Sequence, residues 1–253
     1  MTGSNKDDDE EVLTLSAHAL EALQLFKDEE TERKLQFEKL SLQAEKDYED
    51  LQQEKPSASM TIDDFKEDWQ LSQFWYSDQT ADILADALLE GADEDTVICI
   101  ASAPSVYAAI AKRPRESLPT KHIYLLEFDK RFGILAGSKH FSFYDYKNPT
   151  TIPEHLRNKV DRILIDPPFL EKDCQIKSSI SARTLLKKDK TSKTKNGDLK
   201  YKFISCTGER MQDLIKKIYP DSHITTFFPE HKNGLSNEFR CYASFECESW
   251  KFL

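Results

Sequence analysis

The sequence predicts an α/β domain with a mostly parallel sheet, joined to an N-terminal helical extension. Two observations predict this fold class. From about residue 60 onward, short apolar runs alternate with helical segments, which is typical of a parallel sheet with right-handed crossovers. Residues 13–54, by contrast, contain no Gly or Pro and are rich in Leu, Glu, Lys, Gln and Ala. The chain therefore divides into residues 1–55 and residues 60–253, with a linker at Pro56-Ser57-Ala58-Ser59.

The N-terminal segment carries almost all of the net charge. The whole chain has a net charge of −10, of which residues 1–55 carry −9 and residues 56–253 carry −1. Residues 1–11 are acidic and nearly without apolar side chains, which predicts a disordered tail. Residues 13–54 predict two helices or one bent helix. Two hypotheses stay open for this extension: a helix that lies on the α/β domain, or an acidic arm that docks a basic partner.

The composition argues against several classes of protein. No apolar stretch approaches the roughly 20 residues of a membrane span, and the polar N-terminus is not typical of a signal peptide. Five cysteines without a Cys-x-x-Cys pair argue against a disulfide framework and a zinc site, and the six histidines are scattered, so we expect no metal. An acidic chain without a basic stripe argues against nucleic acid as the main substrate. We therefore expect a cytoplasmic protein, and we favour a monomer.

The apolar runs set the boundaries of the predicted elements. A helix is predicted over residues 77–90, because Ser77 and Asp78 are good N-caps and Gly91 ends a helix. Further helices are predicted over residues 105–112 and 208–219. Five parallel strands are predicted at residues 96–101, 122–127, 141–145, 162–166 and 201–206, followed by a closing pair at residues 223–228 and 238–247 that gives the sheet an antiparallel edge strand. Residues 187–200 are rich in Lys and predict a long, mobile loop.

Polar side chains follow four of these strands: Ser102, Glu127, Asp145 and Asp166. Ligands of open α/β sheets bind beyond the carboxyl ends of the strands, although each of these residues could equally cap a helix. Together they suit a nucleoside-containing cofactor, with Glu127 accepting from ribose hydroxyls and Asp145 from an adenine amino group. The first loop, Ala101-Ser102-Ala103-Pro104-Ser105, has no Gly, which disfavours a dinucleotide and fits a phosphate-free cofactor such as S-adenosylmethionine better.

The most specific motif is Asp166-Pro167-Pro168-Phe169. It ends the fourth predicted strand, since two prolines cannot continue a ladder, and a rigid turn is its structural explanation. In the functional hypothesis, Asp166 and the carbonyl of Pro167 accept N–H bonds from an amine, and the prolines fix both acceptors in advance. Phe169 would pack on a planar base or over a cationic amine. The motif therefore predicts direct methyl transfer to an amino group, without a metal.

The tetrad resembles the (Asn/Asp)-Pro-Pro-(Tyr/Phe/Trp) motif of amino-group methyltransferases with the seven-stranded S-adenosylmethionine fold. More specifically, the chain resembles the lysine N-methyltransferases of translation elongation factor 1-alpha, a family formerly labelled N6-adenine-specific DNA methyltransferases. The other segments that carry the resemblance are Leu15-Ser16-Ala17-His18-Ala19-Leu20-Glu21-Ala22-Leu23, Gln73-Phe74-Trp75-Tyr76-Ser77, Ser102-Ala103-Pro104-Ser105-Val106-Tyr107, Glu127-Phe128-Asp129-Lys130-Arg131-Phe132, Phe143-Tyr144-Asp145-Tyr146, Cys206-Thr207-Gly208 and Asn237-Glu238-Phe239-Arg240-Cys241-Tyr242.

The resemblance implies a seven-stranded, Rossmann-like methyltransferase fold, S-adenosylmethionine as cofactor and elongation factor 1-alpha as protein substrate. The cofactor contacts that it implies are Trp75, Tyr76, Ser77, Ala101, Ser102, Ala103, Pro104, Ser105, Glu127, Asp145, Tyr146 and Asp166. The aromatic rings that precede residue 77 could equally pack in the core. Arg240 or Glu238 could touch the substrate, but an ion pair at the edge of the sheet is as good an explanation.

Three hypotheses about function follow. A protein-lysine methyltransferase is the first. An adenine-N6 methyltransferase is the second, and it would need base flipping and a DNA-binding surface for which the chain shows no basic excess. A non-catalytic binding protein is the third, since the glycine-free loop could reflect lost cofactor binding.

Overall fold

The structure is a computed structural model that describes residues 61–67, 73–234 and 238–253. The predicted acidic tail and helical extension, residues 1–55, lie outside the described residues. The strands are β1 Ile98–Ala101, β2 Ile123–Glu127, β3 Phe141–Phe143, β4 Arg162–Ile165, β5 Lys202–Gly208, β6 His223–Ile224 and β7 Phe239–Ala243. The helices are α1 Asp78–Leu89, α2 Pro104–Ala111, α3 Phe132–Ala136, α4 Lys172–Leu185 and α5 Gln212–Ile218, with short 3-10 turns at Ile62–Asp64, Arg115–Ser117, Glu154–Leu156 and Glu209–Met211.

The α/β prediction is confirmed in the described part of the chain. Its strands form one seven-stranded sheet with the order β3-β2-β1-β4-β5-β7-β6. Strands β1 to β5 pair in parallel, and β7 pairs antiparallel with both β5 and β6. The antiparallel strand is not at the edge, where the sequence predicts it, but lies between β5 and β6. The reason is burial: β7 ends in three buried residues, whereas the two residues of β6 are exposed and half-buried.

Both faces of the sheet are covered, which explains why the central strands are apolar without alternation. In β1, Ile98 and Ile100 face a core that also contains side chains of α1 and α2. Cys99 and Ala101 point to the other face, where α4 and α5 contribute Leu185 and other residues. Because β1 to β5 are parallel, their carboxyl ends meet at one edge of the sheet.

Helix α1 begins and ends as predicted. The Ser77 hydroxyl accepts the Thr80 N–H at 3.2 Å, which caps the first turn. At the other end, Gly91 adopts the left-handed region with φ +68°. The helix lies on the same face of the sheet as α2, and the chain that precedes it leads into the site described below.

Two parts of the connection between β4 and β5 differ from expectation. The sequence did not predict α4, because its buried face consists largely of small or polar side chains such as Gln175, Ser178 and Ser181. The Lys-rich residues 187–200, which we expected to form a mobile loop, are held against the rest of the domain. The ion pairs that hold them are Lys187–Asp161, Lys190–Asp221, Lys195–Glu94 and Lys200–Asp93.

In the part of the chain that the structure describes, no helix combines the length and apolarity needed to cross a membrane.

Candidate active site

The carboxyl ends of β1, β2 and β4 open into a cavity of about 700 Å³. This volume is within the range typical of ligand sites. The sequence-predicted residues that line the cavity are Trp75, Tyr76, Ser102, Ala103, Pro104, Ser105, Glu127, Asp145, Tyr146, Asp166, Pro167, Pro168 and Phe169. The topology thus brings residues separated by about ninety positions in the chain to one place.

Two residues predicted to contact the cofactor do not line the cavity. Ala101 is buried inside β1, where its carbonyl accepts the Asp166 N–H at 3.0 Å. Ser77 is the N-cap of α1, and its own N–H donates to the Glu230 carbonyl at 2.8 Å. Both residues hold the backbone of the site, and their contact with a cofactor stays a prediction.

The glycine-free loop after β1 makes a tight turn with small side chains. Ser102 has φ 58°, a left-handed conformation that costs energy for a residue other than Gly. Its N–H donates to the Leu126 carbonyl at 2.9 Å, which ties the turn to β2. Pro104 then begins α2 at a position that does not need its missing N–H. A turn of this kind keeps backbone and small side chains at the cavity wall. The loop can therefore contact a ligand even though it contains no Gly.

Glu127, at the end of β2, is a buried carboxylate that faces the cavity. Its Oε1 accepts the N–H groups of Phe128 at 2.9 Å and Asp129 at 3.2 Å. Within the described residues, no hydrogen bond reaches Oε2. Burial raises the pKa of Glu127 to about 8, and the two N–H donors only partly offset that effect. A half-satisfied buried carboxylate of this kind is prepared to accept hydroxyl donors from a ligand.

Asp145 lies beyond β3 and also lines the cavity. Its Oδ1 accepts the Lys147 N–H and its Oδ2 accepts from Asn148 Nδ2, each at 2.9 Å. These bonds form a local turn, so a structural role explains this carboxylate as well as a ligand contact does. Tyr146 follows and packs against Phe169, with ring centroids 5.7 Å apart. This contact connects the tetrad to the part of the cavity wall that follows β3.

The tetrad begins one residue after β4. The Asp166 Oδ2 accepts the Tyr76 hydroxyl at 2.6 Å. Burial raises the pKa of Asp166 to about 7, and the Tyr76 hydroxyl opposes that rise. Gln175 donates to the Phe169 carbonyl at 3.1 Å and to Thr207 Oγ1 at 3.0 Å, which fixes the tetrad to α4 and β5. The motif is therefore a rigid strand-ending turn that also presents a perturbed carboxylate to a cavity.

Some predicted residues have clear structural roles. Trp75 is buried, donates from Nε1 to the Phe65 carbonyl at 2.9 Å and packs edge-on against Phe132, so core packing explains most of its ring. Arg240 pairs with Glu209 at 2.7 Å and lies over the Phe228 ring at 4.2 Å. Arg240 does not line the cavity, and the ion pair is the better explanation for it.

Sequence reasoning missed other residues of the cavity wall. They are Gln73, Phe74, Phe128, Tyr144, Lys147, Leu170, Glu171, Arg210, His231 and Phe239. His231 packs against Tyr76 and Phe239, with centroid distances of 4.8 and 4.6 Å, and burial lowers its pKa to about 4, so it is neutral at pH 7. No sequence pattern predicts that His231 lines the cavity, because the chain comes back to the cavity only after β6. Among the described residues, no group of three or more His, Cys, Asp or Glu side chains is arranged to hold a metal ion.

Comparison with known proteins identifies the family of the chain. A family model described as "Probable N6-adenine methyltransferase" matches residues 67–247. The chain belongs to this methyltransferase family. A protein-lysine N-methyltransferase, EFM5 of Saccharomyces cerevisiae, is 62% identical over 239 residues, which are 94% of each chain. EEF1A lysine methyltransferase 1 of Homo sapiens is 35% identical and covers 94% of this chain and 95% of its own. Protein-lysine N-methyltransferase M142.8 of Caenorhabditis elegans is 34% identical and covers 94% of this chain and 97% of its own.

The chain is thus an enzyme, a methyltransferase with the seven-stranded Rossmann-like fold. The hypothesis of a non-catalytic binding protein is set aside. The family description and the names of the relatives point to different methyl acceptors, an adenine and a lysine. The choice between them depends on the chemistry of the site and on experiment.

Proposed function

We propose that this methyltransferase uses S-adenosylmethionine to methylate a lysine side chain of translation elongation factor 1-alpha. The observation that carries the proposal is the Asp166 carboxylate, which lies between a buried strand and two prolines and faces a cavity shared with Glu127. The names of the relatives support the acceptor, since they are protein-lysine methyltransferases and, in several vertebrates, EEF1A lysine methyltransferases.

The residues of the cavity fit S-adenosylmethionine. Glu127 offers an Oε2 that no described residue bonds, which suits a donor such as a ribose hydroxyl. The phosphate-free cofactor does not need the glycine-rich turn that the loop Ser102–Ser105 lacks. We propose that this loop, Glu127, Asp145 and Tyr146 hold the cofactor. When bound, S-adenosylmethionine supplies an electrophilic methyl group.

The chain's own residues must bind and orient a neutral amine. A free lysine has a pKa near ~10.4, and removal from water on entering the cavity disfavours its charged form, so the amine loses its proton to water before it reacts. Asp166 Oδ1 and the Pro167 carbonyl then accept the N–H bonds and aim the nitrogen lone pair. As an anion, Asp166 also stabilises the positive charge that develops on the nitrogen. Because the pKa of Asp166 is about 7, we expect this assistance to increase as the pH rises through neutrality.

The second candidate acceptor is the adenine amino group, which the family description favours. The same two acceptors could orient an exocyclic amine, so the tetrad does not exclude it. The near-neutral charge of residues 56–253 speaks against it, because a duplex substrate requires a basic surface.

A transfer assay with methyl-labelled S-adenosylmethionine tests the proposal. Purified elongation factor 1-alpha, an adenine-containing duplex DNA and a structured RNA are offered separately. We expect label in the protein alone, at a lysine that peptide mass spectrometry identifies. Elongation factor whose lysines have been blocked by acetylation, which converts the amines to non-nucleophilic amides, is the matched control and should accept no label. Label in either nucleic acid, with none in the protein, would replace the lysine proposal by the adenine alternative.

We further propose that the enzyme is a cytoplasmic monomer. All five cysteines are free and buried, which fits a reducing compartment. Light scattering at two protein concentrations tests the oligomeric state, and a mass of two chains would contradict it.

A further inference from the structure

Asp166 receives its hydrogen bond from a residue ninety positions earlier in the chain. The Tyr76 hydroxyl donates to Oδ2 at 2.6 Å, a short bond of the kind that charged acceptors form. Within the described residues, no hydrogen bond reaches Oδ1. The tyrosine thus occupies one oxygen of the carboxylate and leaves the other one for a ligand in the cavity.

Two different segments hold Tyr76 in place. Its N–H donates to Ser105 Oγ at 3.2 Å, at the start of α2. Its backbone forms an antiparallel bridge with His231, whose ring packs on the tyrosine ring at 4.8 Å. The side chain is 1% exposed. With its ring and backbone fixed, the hydroxyl has little freedom except to donate toward Asp166.

We propose that Tyr76 is a positioning residue for Asp166: its hydroxyl fixes the carboxylate through Oδ2, so that Oδ1 is presented to the acceptor amine. This inference rests on the proposed function, because it assigns Tyr76 a part in the same transfer. It differs from the expectation drawn from the family resemblance, which made Tyr76 a contact of the cofactor.

The electrostatic surroundings support this role. Burial raises the pKa of Asp166, and the Tyr76 hydroxyl lowers it. Of the titratable neighbours, His231 is neutral at pH 7, Cys206 is a buried thiol whose pKa is raised well above its ordinary value, and Glu127 has a raised pKa of its own. None of the three supplies a positive charge to Asp166 at pH 7. Asp145, Glu171, Lys147 and Arg210 lie elsewhere on the cavity wall. Tyr76 is therefore placed to set how much of Asp166 is ionised.

The test is Tyr76→Phe, which keeps the ring and removes only the hydroxyl. The matched control is Tyr144→Phe, the same change at another buried tyrosine of the cavity wall, whose hydroxyl is 3.0 Å from Ser181 Oγ. Three quantities are measured for the wild type and both variants: the pKa of Asp166 from its carboxyl carbon-13 shift, the pH dependence of kcat, and the dissociation constant of S-adenosylmethionine. Thermal melting establishes that each variant is folded.

We expect Tyr76→Phe to raise the pKa of Asp166 by about one pH unit or more, since a hydrogen bond to a charged group corresponds to about a tenfold or larger change. The acid limb of kcat should move to higher pH by the same amount, with kcat about fivefold lower at pH 7 and cofactor affinity changed less than about twofold. Tyr144→Phe should leave the pKa of Asp166 unchanged.

An unchanged Asp166 pKa in folded Tyr76→Phe would overturn the inference. So would weaker cofactor binding with an unmoved acid limb, which would make Tyr76 a contact of the cofactor. The carbon-13 titration needs no methyl acceptor. If wild-type enzyme transferred no methyl group to elongation factor 1-alpha, the proposed function would fail, and the pKa comparison would still decide whether Tyr76 controls Asp166.

Discussion

The two ends of the central strands bury charge in opposite ways. At the carboxyl ends, Glu127 and Asp166 face a cavity, and each has one oxygen to which no described residue donates. At the amino ends, Arg162 begins β4 and Lys202 begins β5, side by side in the parallel register. Arg162 is fully buried, and Lys202 is 7% exposed. The comparison shows the same sheet burying two carboxyl groups at one end and two cations at the other.

The two cations donate hydrogen bonds to backbone carbonyls, whereas each of the two carboxyl groups keeps one oxygen to which no described residue donates. Arg162 donates to the carbonyls of Leu88 and Glu90, each at 2.7 Å, and Lys202 donates to the Ala87 carbonyl at 3.1 Å and the Glu90 carbonyl at 2.9 Å. These carbonyls end α1 and have no partner inside the helix, so the two cations cap it and complement its dipole. A buried charged group whose hydrogen bonds are all made contributes to the fold. A buried carboxyl group that faces a cavity with one unpaired oxygen is instead available for chemistry.

Removal of the Asp166 carboxylate should produce the largest change. We expect Asp166→Ala to lower methyl transfer by more than about 10²-fold, because it removes an acceptor that orients the amine and favours its developing charge. The fold should persist, since the carboxylate has only Tyr76 as a side-chain partner among the described residues. Single-turnover assays and thermal melting check both points. The exposed Asp173→Ala is the control, and normal turnover by a folded Asp166→Ala enzyme would disprove the mechanism.

At the opposite end, Arg162→Met should be mainly a loss of stability. It leaves the buried Leu88 carbonyl without its donor and the Glu90 carbonyl with Lys202 as its remaining donor, at a cost of about 3 kcal/mol in the free energy of unfolding. For a chain of this size that corresponds to a melting temperature lower by about 6–12 °C. Arg115→Met, at an exposed arginine, should change the melting temperature little. If Arg162→Met melted like the wild type, the buried cation would not be the cap that the hydrogen bonds indicate.

Substitution of Glu127 tests whether this residue contacts the cofactor or only forms the turn after β2. We expect Glu127→Ala to raise the dissociation constant of S-adenosylmethionine about 10- to 100-fold, as is usual for the loss of a hydrogen bond to a charged group. Calorimetry at pH 7 measures this constant, and the exposed Glu116→Ala serves as the control. An unchanged constant would leave Glu127 only with its bonds to the Phe128 and Asp129 N–H groups.

The same comparison shows what the sequence could predict. The apolar runs of β1, β2 and β4 and the polar residues after them are recognisable in the sequence, because a parallel strand buried on both faces is a continuous apolar run. Since the carboxyl ends of parallel strands must meet, these runs suffice to predict that Ser102, Glu127 and Asp166 line one cavity. Helix α4 could not be predicted in this way, because it buries small or polar side chains that break the apolar period of a helix.

Contacts between distant segments were not predictable from local patterns. The position of Tyr76 against Asp166 depends on the bridge to His231, and the buried Arg162 depends on where α1 ends. Neither partner is marked by spacing or composition. Ser77 is a further case, because an N-cap and a ligand contact require the same residue type, and the sequence does not show that the Ser77 hydroxyl accepts the Thr80 N–H.

The last prediction concerns the pH dependence of stability at the carboxyl end. The folded pKa of Glu127 is about 8, well above the ordinary value of ~4.3 that the unfolded chain should show. Between these values the folded state retains a proton that the unfolded state has lost, so Glu127 makes the wild type less stable as the pH rises from about 4 to 8. Glu127→Gln cannot ionise, and its amide oxygen can still accept the two N–H bonds. It should therefore melt close to the wild type at pH 5 and become more stable than the wild type toward pH 8, by about 3–4 kcal/mol at about 1.4 kcal/mol per pH unit. Arg162, with a pKa of about 10, stays charged in this range, so the deficit of Arg162→Met should be nearly the same at pH 5 and pH 8. The stability difference between Glu127→Gln and the wild type could also fail to grow with pH. In that case the Glu127 carboxylate would be stabilised at the cavity wall to the same degree as the cations are at the other end of the sheet.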